Sequence, residues 1–457
     1  MAALHHRALR YGAITAAVIA ALVLAIVLMP WNAVRGPVGR LVSTHLERDV
    51  TLGGLAVDWG LPLRVTITDL AIANLPWAQE QPMLAARQAV LWFTLPSLLR
   101  MAPVRVAFAD ARAALERNAE GEDNWHFGAS RAPIGNVTVD RGTLRYRDER
   151  TRADVTLALQ SDVSPGGGAP ALRFEGKGRL RDETLTLTGT SEGLEALQDS
   201  TDPFRLAFVA RTGATRVEFD GTAVPSDFEN LHGALHLTGP DLAKLYPLVP
   251  TPLPWTPPYD LRGQLSHSAG RWEYRGLSGR IGDSNLKGDL VVDKSSGRTA
   301  TRADLTSTRL DTRDLGGFIG LPPGAADARA RSPSQRKAVQ RRATSGRALP
   351  DQPLELARLR DHDVDLTFRG TSVTWSSIPL DSVATHLVLK DGVLRFDPLD
   401  LGLASGRVTA KITVNATSDA PHAQADVEAR NVELKRIFPQ LASPKGTAGR
   451  FGGRMQL

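Results

Sequence analysis

The stretch HLVLKDGVLRFDPL, residues 386–399, decides the fold. Asp391-Gly392 sits between two runs that alternate apolar and polar, which is the signature of a hairpin with a two-residue turn. Pairing about that turn sets Lys390 opposite Val393, Leu389 opposite Leu394 and Leu387 opposite Phe396. Four large apolar side chains then share one face, and the other face is mostly polar. A sheet with one apolar face must lay it against something.

The same pattern recurs along the chain. With an offset of 122 residues and no gap, LRGQLSHSAGRWEYRGLSGRIGDSNLKGDLVVD (from Leu261) overlies VATHLVLKDGVLRFDPLDLGLASGRVTAKITVN (from Val383). Leu265 falls on Leu387, Trp272 on Leu394, Tyr274 on Phe396, Leu277 on Leu399, Leu290 on Ile412 and Val292 on Val414. In this copy His267 should face Trp272, and Leu265 should face Tyr274. RADLTSTRLDTRDL and QADVEARNVELKRI extend the match, and LHLTGPDLAKL is a weaker third copy. Repeats of hairpins and a short helical turn predict a stacked β structure whose neighbouring repeats share a core.

Most of the remaining chain also alternates with period 2, as in RVTITDLAIAN, NVTVDRGTLRYRDER and FRLAFVAR, bounded by Gly, Asp, Asn or Pro. Asp110 and Asp391 are expected at register breaks or turns, where a short acceptor satisfies local donors. Helices are scarce: short pieces at Leu242–Leu245 and at residues 434–438, and an amphipathic segment carrying Val34, Val38, Leu41, Val42 and His45 at helical spacing. That stripe should lie against the membrane or the first strands. With so few helices to cover it, the sheet either closes on itself as a filled core or curves into a trough lined for a ligand.

The beginning of the chain is different. Residues 11–34 carry no charge, and YGAITAAVIAALVLAIVLMPW supplies about 20 apolar positions, enough to span the hydrocarbon of a bilayer. Residues 11–31 are therefore expected to be a transmembrane anchor, with Arg7 and Arg10 favouring a cytoplasmic tail of residues 1–10. The rival, a cleaved signal peptide, lacks a small-x-small site after the apolar run.

The net charge of +6 invites a nucleic-acid partner. Between Pro322 and Pro350, however, seven basic residues (Arg329, Arg331, Arg336, Lys337, Arg341, Arg342, Arg347) stand against Asp327, so one segment carries the imbalance. Its Ala, Arg, Ser and Pro bury too little to order it, and no aromatic platform accompanies it. It reads as a disordered basic linker, and no nucleic acid is expected.

Chemistry is sparse. The absence of cysteine excludes thiol nucleophiles, disulfides and Cys-ligated metals. His232 and His236 would lie on a strand roughly 13 Å apart, too far for one metal. Asp361-His362-Asp363 reads as a polar turn. Glu116, Glu120, Glu122 and Asp123 do not follow a calcium-loop spacing and read as a solvated turn. No phosphate loop or nucleophile elbow is present. The pattern predicts no catalytic, metal or cofactor site, and no enzyme.

Asn74, Pro76 and Trp77, the strand running into Pro96-Ser97-Leu98-Leu99, and the corner from Glu116-Arg117 to Asn124-Trp125-His126-Phe127 resemble the AsmA family of Gram-negative envelope proteins. DLAKLYPLVPTPLPWTPPYDLRGQL and the repeats strengthen that resemblance. It implies a bacterial inner-membrane anchor and a periplasmic body of curved antiparallel β-sheet. It also implies similarity to bridge-like proteins that pass phospholipid between membranes, and an association with outer-membrane assembly and envelope integrity.

The expectation is thus a mainly β, single-pass inner-membrane protein with its body in the periplasm: a transmembrane helix, then an elongated, curved, trough-like antiparallel sheet with a few short helices. Its segments would be an AsmA-like module (32–127), β repeats (128–246), a Pro-rich linker (247–258), a β repeat (259–320), the basic linker (321–353) and a last repeat (354–457). That repeat closes on GRFGGRMQL, which reads as the start of a further strand pair and so as a shortened copy or one lacking its final pairs. Phospholipid acyl chains would lie on Leu265, Trp272, Tyr274, Leu387, Leu389, Leu394 and Phe396. The alternative is a scaffold or chaperone for outer-membrane proteins that acts by strand addition at a sheet edge.

Overall fold

Alternation becomes strand almost everywhere the sequence predicts it. The computed structural model describes residues 27–100, 102–125, 135–162, 170–197, 202–224, 227–245, 255–314, 362–375, 378–403, 405–417, 422–433 and 450–456. Most of the transmembrane run, the basic linker 321–353 and the helical piece at 434–438 lie outside the described residues. Among those described, no helix is long and apolar enough to cross a membrane. The packing divides the chain into two units, residues 1–182 with 190–199, and residues 183–189 with 200–457.

Among the described residues, the first unit holds the helix Arg35–Leu46, the one-turn helix Leu95–Leu99 and eight strands. These are β1 (Val50–Asp58), β2 (Leu63–Ile72), β3 (Leu84–Phe93), β4 (Arg105–Arg117), β5 (Asn136–Asp140), β6 (Gly142–Asp148), β7 (Ala153–Asp162) and β8 (Ala171–Leu180). β1 to β4 pair antiparallel in sequence order. Each of these strands shifts phase at its middle. Leu52 faces Leu70 and Gly54 faces Thr68, so Gly53 and Asp69 drop out of the pairing; Arg87 and Asp110 drop out at the same level. Asp69 and Asp110 take positive φ there, as short acceptor residues tolerate, and the Asp110 carboxylate accepts from Arg141 at 2.8 Å.

The helix Arg35–Leu46 forms where its spacing predicts, but its inward face differs from the apolar stripe. Gly39 is the buried residue, and Ser43 Oγ accepts from Val50 N at 2.8 Å. Leu41, Val42 and His45 point outward. A close backbone approach through glycine and a side-chain hydrogen bond seat this helix on β1, and its larger apolar residues are left uncovered.

Among the described residues, the second unit holds fifteen strands. They are β9 (Glu183–Ser191), β10 (Phe204–Thr212), β11 (Thr215–Val224), β12 (Asp227–Gly239), β13 (Tyr259–Ser268), β14 (Arg271–Ile281), β15 (Ser284–Asp293), β16 (Thr299–Ser307), β17 (Leu310–Asp311), β18 (His362–Trp375), β19 (Ile378–Lys390), β20 (Val393–Leu403), β21 (Gly406–Asn415), β22 (His422–Glu433) and β23 (Arg450–Gln456). The internal repeat is visible in the bounds: β14 and β15, moved by 122 residues, coincide with β20 and β21. Both repeat hairpins turn through two residues of positive φ, Ala269-Gly270 and Asp391-Gly392, the type I′ geometry that matches strand twist.

The sheet is mixed, which corrects the expectation of a purely antiparallel one. β4 pairs parallel with β5 and β6, and β16 and β17 pair parallel with β18. Parallel neighbours need a long return of chain, and in sequence β4 ends at Arg117 while β5 begins at Asn136, and β17 ends at Asp311 while β18 begins at His362. Alternation reads the faces of a strand and is blind to its direction.

Candidate functional site: an apolar sheet face

Every cross-strand pair foreseen for the two hairpins is present. Leu387 faces Phe396, Leu389 faces Leu394 and Lys390 faces Val393; Leu265 faces Tyr274 and His267 faces Trp272. Direct partners on a ladder share a face, so Leu265, Trp272, Tyr274, Leu387, Leu389, Leu394 and Phe396 stand on one surface of the second unit, and Lys390 and Val393 on the other. The register joins them into two rows. One runs Leu265, Tyr274, Leu290, Ala303, Leu366, Leu387, Phe396, Ile412, Ala425, and the other runs His267, Trp272, Val292, Thr301, Val364, Leu389, Leu394, Val414, Ala423.

Two bulges keep this face apolar beyond those rows. The spacing from Phe396 to Leu399 is three, so strict alternation would turn Leu399, Leu401 and Leu403 to the polar side. Asp397 and Pro398 together oppose one residue, restoring Leu399 to the apolar face opposite Ala410. Proline has no N–H to give a ladder and is accommodated at such a bulge. In the other repeat Arg275 and Gly276 do the same between Tyr274 and Leu277, with Gly276 N donating to Asp289 Oδ1 at 2.8 Å.

Cover over the face is uneven. Past the bulges Leu310, Phe368, Val373, Leu380, Leu403 and Val432 are buried together, with Leu305, Val383 and Leu401 against them. This part is a self-filled core. Among the seven expected lipid-facing residues, Leu265 and Leu389 are buried at 4% and 5% exposure. Trp272, Tyr274, Leu387, Leu394 and Phe396 remain half-buried. His267 stacks on Trp272 with ring centroids 3.7 Å apart. Burial pushes the Tyr274 hydroxyl pKa up to about 12, so it stays neutral.

The opposite face is charged. Glu273 accepts from Arg271 at 2.8 Å and Arg275 at 2.9 Å, which hold its carboxyl below the usual range. His386 meets Asp365 at 2.9 Å, and Arg298 meets Asp363 at 2.8 Å. His236 is half-buried between Asp260 and Glu218. Among the described residues, no group of three or more acidic or histidine side chains is placed to hold a metal ion.

Asn74, Glu116, Asn124 and Trp125, among the residues that carry the family resemblance, form a buried clasp in the first unit. Glu116 is 4% exposed, which corrects its reading as part of a solvated turn. Its carboxylate accepts from Gln79 N at 3.0 Å, Glu80 N at 2.9 Å and Asn74 Nδ2 at 3.4 Å. Asn124, fully buried, donates to Asn74 Oδ1 and Ala114 O at 2.9 Å, and its own Oδ1 accepts from Glu116 N at 2.9 Å. Trp125 closes the corner beneath the Arg117 guanidinium. A carboxylate in a protein interior is tolerable only with such donors around it. These side chains are structural; the sequence marks Asn74, Glu116 and Asn124 through the family resemblance, and their meeting is a property of the fold.

The model of the AsmA family matches residues 174–457. The AsmA family protein YhjG of Escherichia coli (strain K12) is 28% identical over 507 aligned positions, covering 98% of this chain and 74% of that protein. No solved structure matches. With more than half its length under the family model, the chain belongs to the AsmA family.

Proposed function

We propose that this chain is a single-pass protein of the bacterial inner membrane whose periplasmic β body holds phospholipid acyl chains on its apolar face, supporting lipid transfer between membranes and envelope homeostasis. The observation that carries the proposal is the pair of rows from β13 to β22, apolar except for His267 and Thr301, with Trp272, Tyr274, Leu387, Leu394 and Phe396 half-buried on it. Apolar surface leaving water gains about 25 cal/mol per Å², so hydrocarbon is drawn there without any directed polar contact. A trough of this kind needs no catalytic group, and the charged opposite face keeps the body in solution.

Solvent extraction and mass spectrometry of the purified body test this. Copurified phospholipid, lost on Leu387→Glu while far-UV circular dichroism is retained, is the expected result. A lipid-free body would remove the proposal and leave the sheet-edge scaffold for outer-membrane proteins in its place.

A further inference from the structure

Among the described residues, every large apolar side chain left exposed, apart from Trp255 and Met455, lies between residues 27 and 104. Isolated exposed apolar residues are ordinary; a collection at one end of one sheet is not. The register shows the collection. Asp58 faces Arg64, Arg64 faces Trp92, and Trp92 faces Arg105, so the β1–β2 turn and the β3–β4 connection share one end of the strands. From that end project Trp59 at 44%, Leu61 at 85%, Leu95 at 67% and Val104 at 41% exposure.

The residues leading out of the apolar run arrive at the same place. Trp31 contacts Trp59 with ring centroids 6.0 Å apart, and from there the chain runs back along β1, Asn32 Oδ1 accepting from Leu55 N at 3.3 Å and Arg35 donating to Gly53 O. Leu28, just before this contact, is 71% exposed. The charge is one-sided. The two connections at this end, residues 59–64 and 93–105, contain Arg64, Arg100 and Arg105 and no acidic residue. Asp58, at the edge, is paired with Arg64 at 2.6 Å.

We infer that this end of the first unit is a bilayer-docking edge, with Trp59, Leu61, Leu95 and Val104 seated among the head groups and upper acyl chains of anionic phospholipid and the arginines on the lipid phosphates. The inference rests on the reading of residues 11–31 as an anchor, which fixes which surface lies within reach. Tryptophan at the boundary, leucine below it and arginine at the phosphate level is the chemistry an interfacial site uses. Docking at the strand ends would stand the strands of this unit away from the membrane and hold the sheet in one orientation.

The absence of cysteine makes the test direct. Leu61→Cys, Leu95→Cys and, in the exposed turn after β4 at the other end of the same strands, Glu120→Cys are each labelled with an environment-sensitive fluorophore. The full chain is then reconstituted in vesicles of phosphatidylethanolamine and phosphatidylglycerol, with flotation reporting the anchor. The expected result is a blue shift at positions 61 and 95, and loss of their emission on brominated acyl chains, with position 120 unchanged. Chain that floats while the first two probes stay in water overturns the docking edge and leaves the anchor standing; equal quenching at position 120 also overturns it. Chain that does not float removes the anchor and the docking edge together.

Discussion

Phe396 stands directly opposite Leu387 on the β19–β20 ladder, and the same pair recurs as Tyr274 opposite Leu265 one repeat earlier. In the earlier copy the strand partner is sealed; in the later one both members are half-buried. The two repeats therefore carry one pattern at two depths of cover.

That difference separates packing from ligand contact. Leu387→Glu should keep the fold and abolish lipid copurification. Leu389→Glu, two residues on and 5% exposed, should unfold the second unit, and Leu389→Ala should cost roughly 2–4 kcal/mol. Thermal melts beside lipid extraction read both effects, and equal destabilisation by the two glutamates would show a uniformly filled core.

The clasp of the first unit should be intolerant of truncation. Asn124→Ala strands Glu116 N, Ala114 O and Asn74 Oδ1 in the interior, for an expected loss of roughly 2–4 kcal/mol. Urea titration monitored by tryptophan fluorescence measures it, and a loss below about 0.5 kcal/mol would mean that water takes the amide's place.

Gly279 approaches the β13 backbone so closely that a Cβ would lie 1.9 Å from Asp260 O, and its φ is +155°. Gly279→Ala should destabilise by on the order of 2 kcal/mol, because the β13–β14 ladder must part to admit it. Hydrogen exchange of β13 and β14 amides should rise in step; unchanged protection there would contradict the tight approach.

Asp314 accepts from Asp283 N, Ser284 N and Ser284 Oγ, yet burial outweighs these donors and raises its pKa above 3.8. The folded state then binds the proton more tightly than the unfolded one. The Asp314 contribution is fully present below about pH 3.8 and is lost as pH rises through the folded pKa. Asp314→Asn should flatten that part of the stability profile, measured by chemical denaturation from acid to neutral pH.

Hairpin positions, ladder partners and the apolar rows could be read from residues 261–292 and 383–414 because turn chemistry and period-2 alternation are local properties, carried by adjacent residues. The 122-residue repeat fixed the equivalence of Tyr274 and Phe396 in the same way. Tertiary structure decided which apolar residues are sealed and which are left half-open, since Leu389 and Leu387 belong to the same pattern and differ only in what lies over them. It also decided the parallel joins of β4 with β5 and β6 and of β16 with β18, the outward turn of Leu41 and Val42, and the meeting of Asn74, Glu116 and Asn124. Those outcomes depend on segments far apart in the chain competing for the same space, and no local pattern encodes the winner.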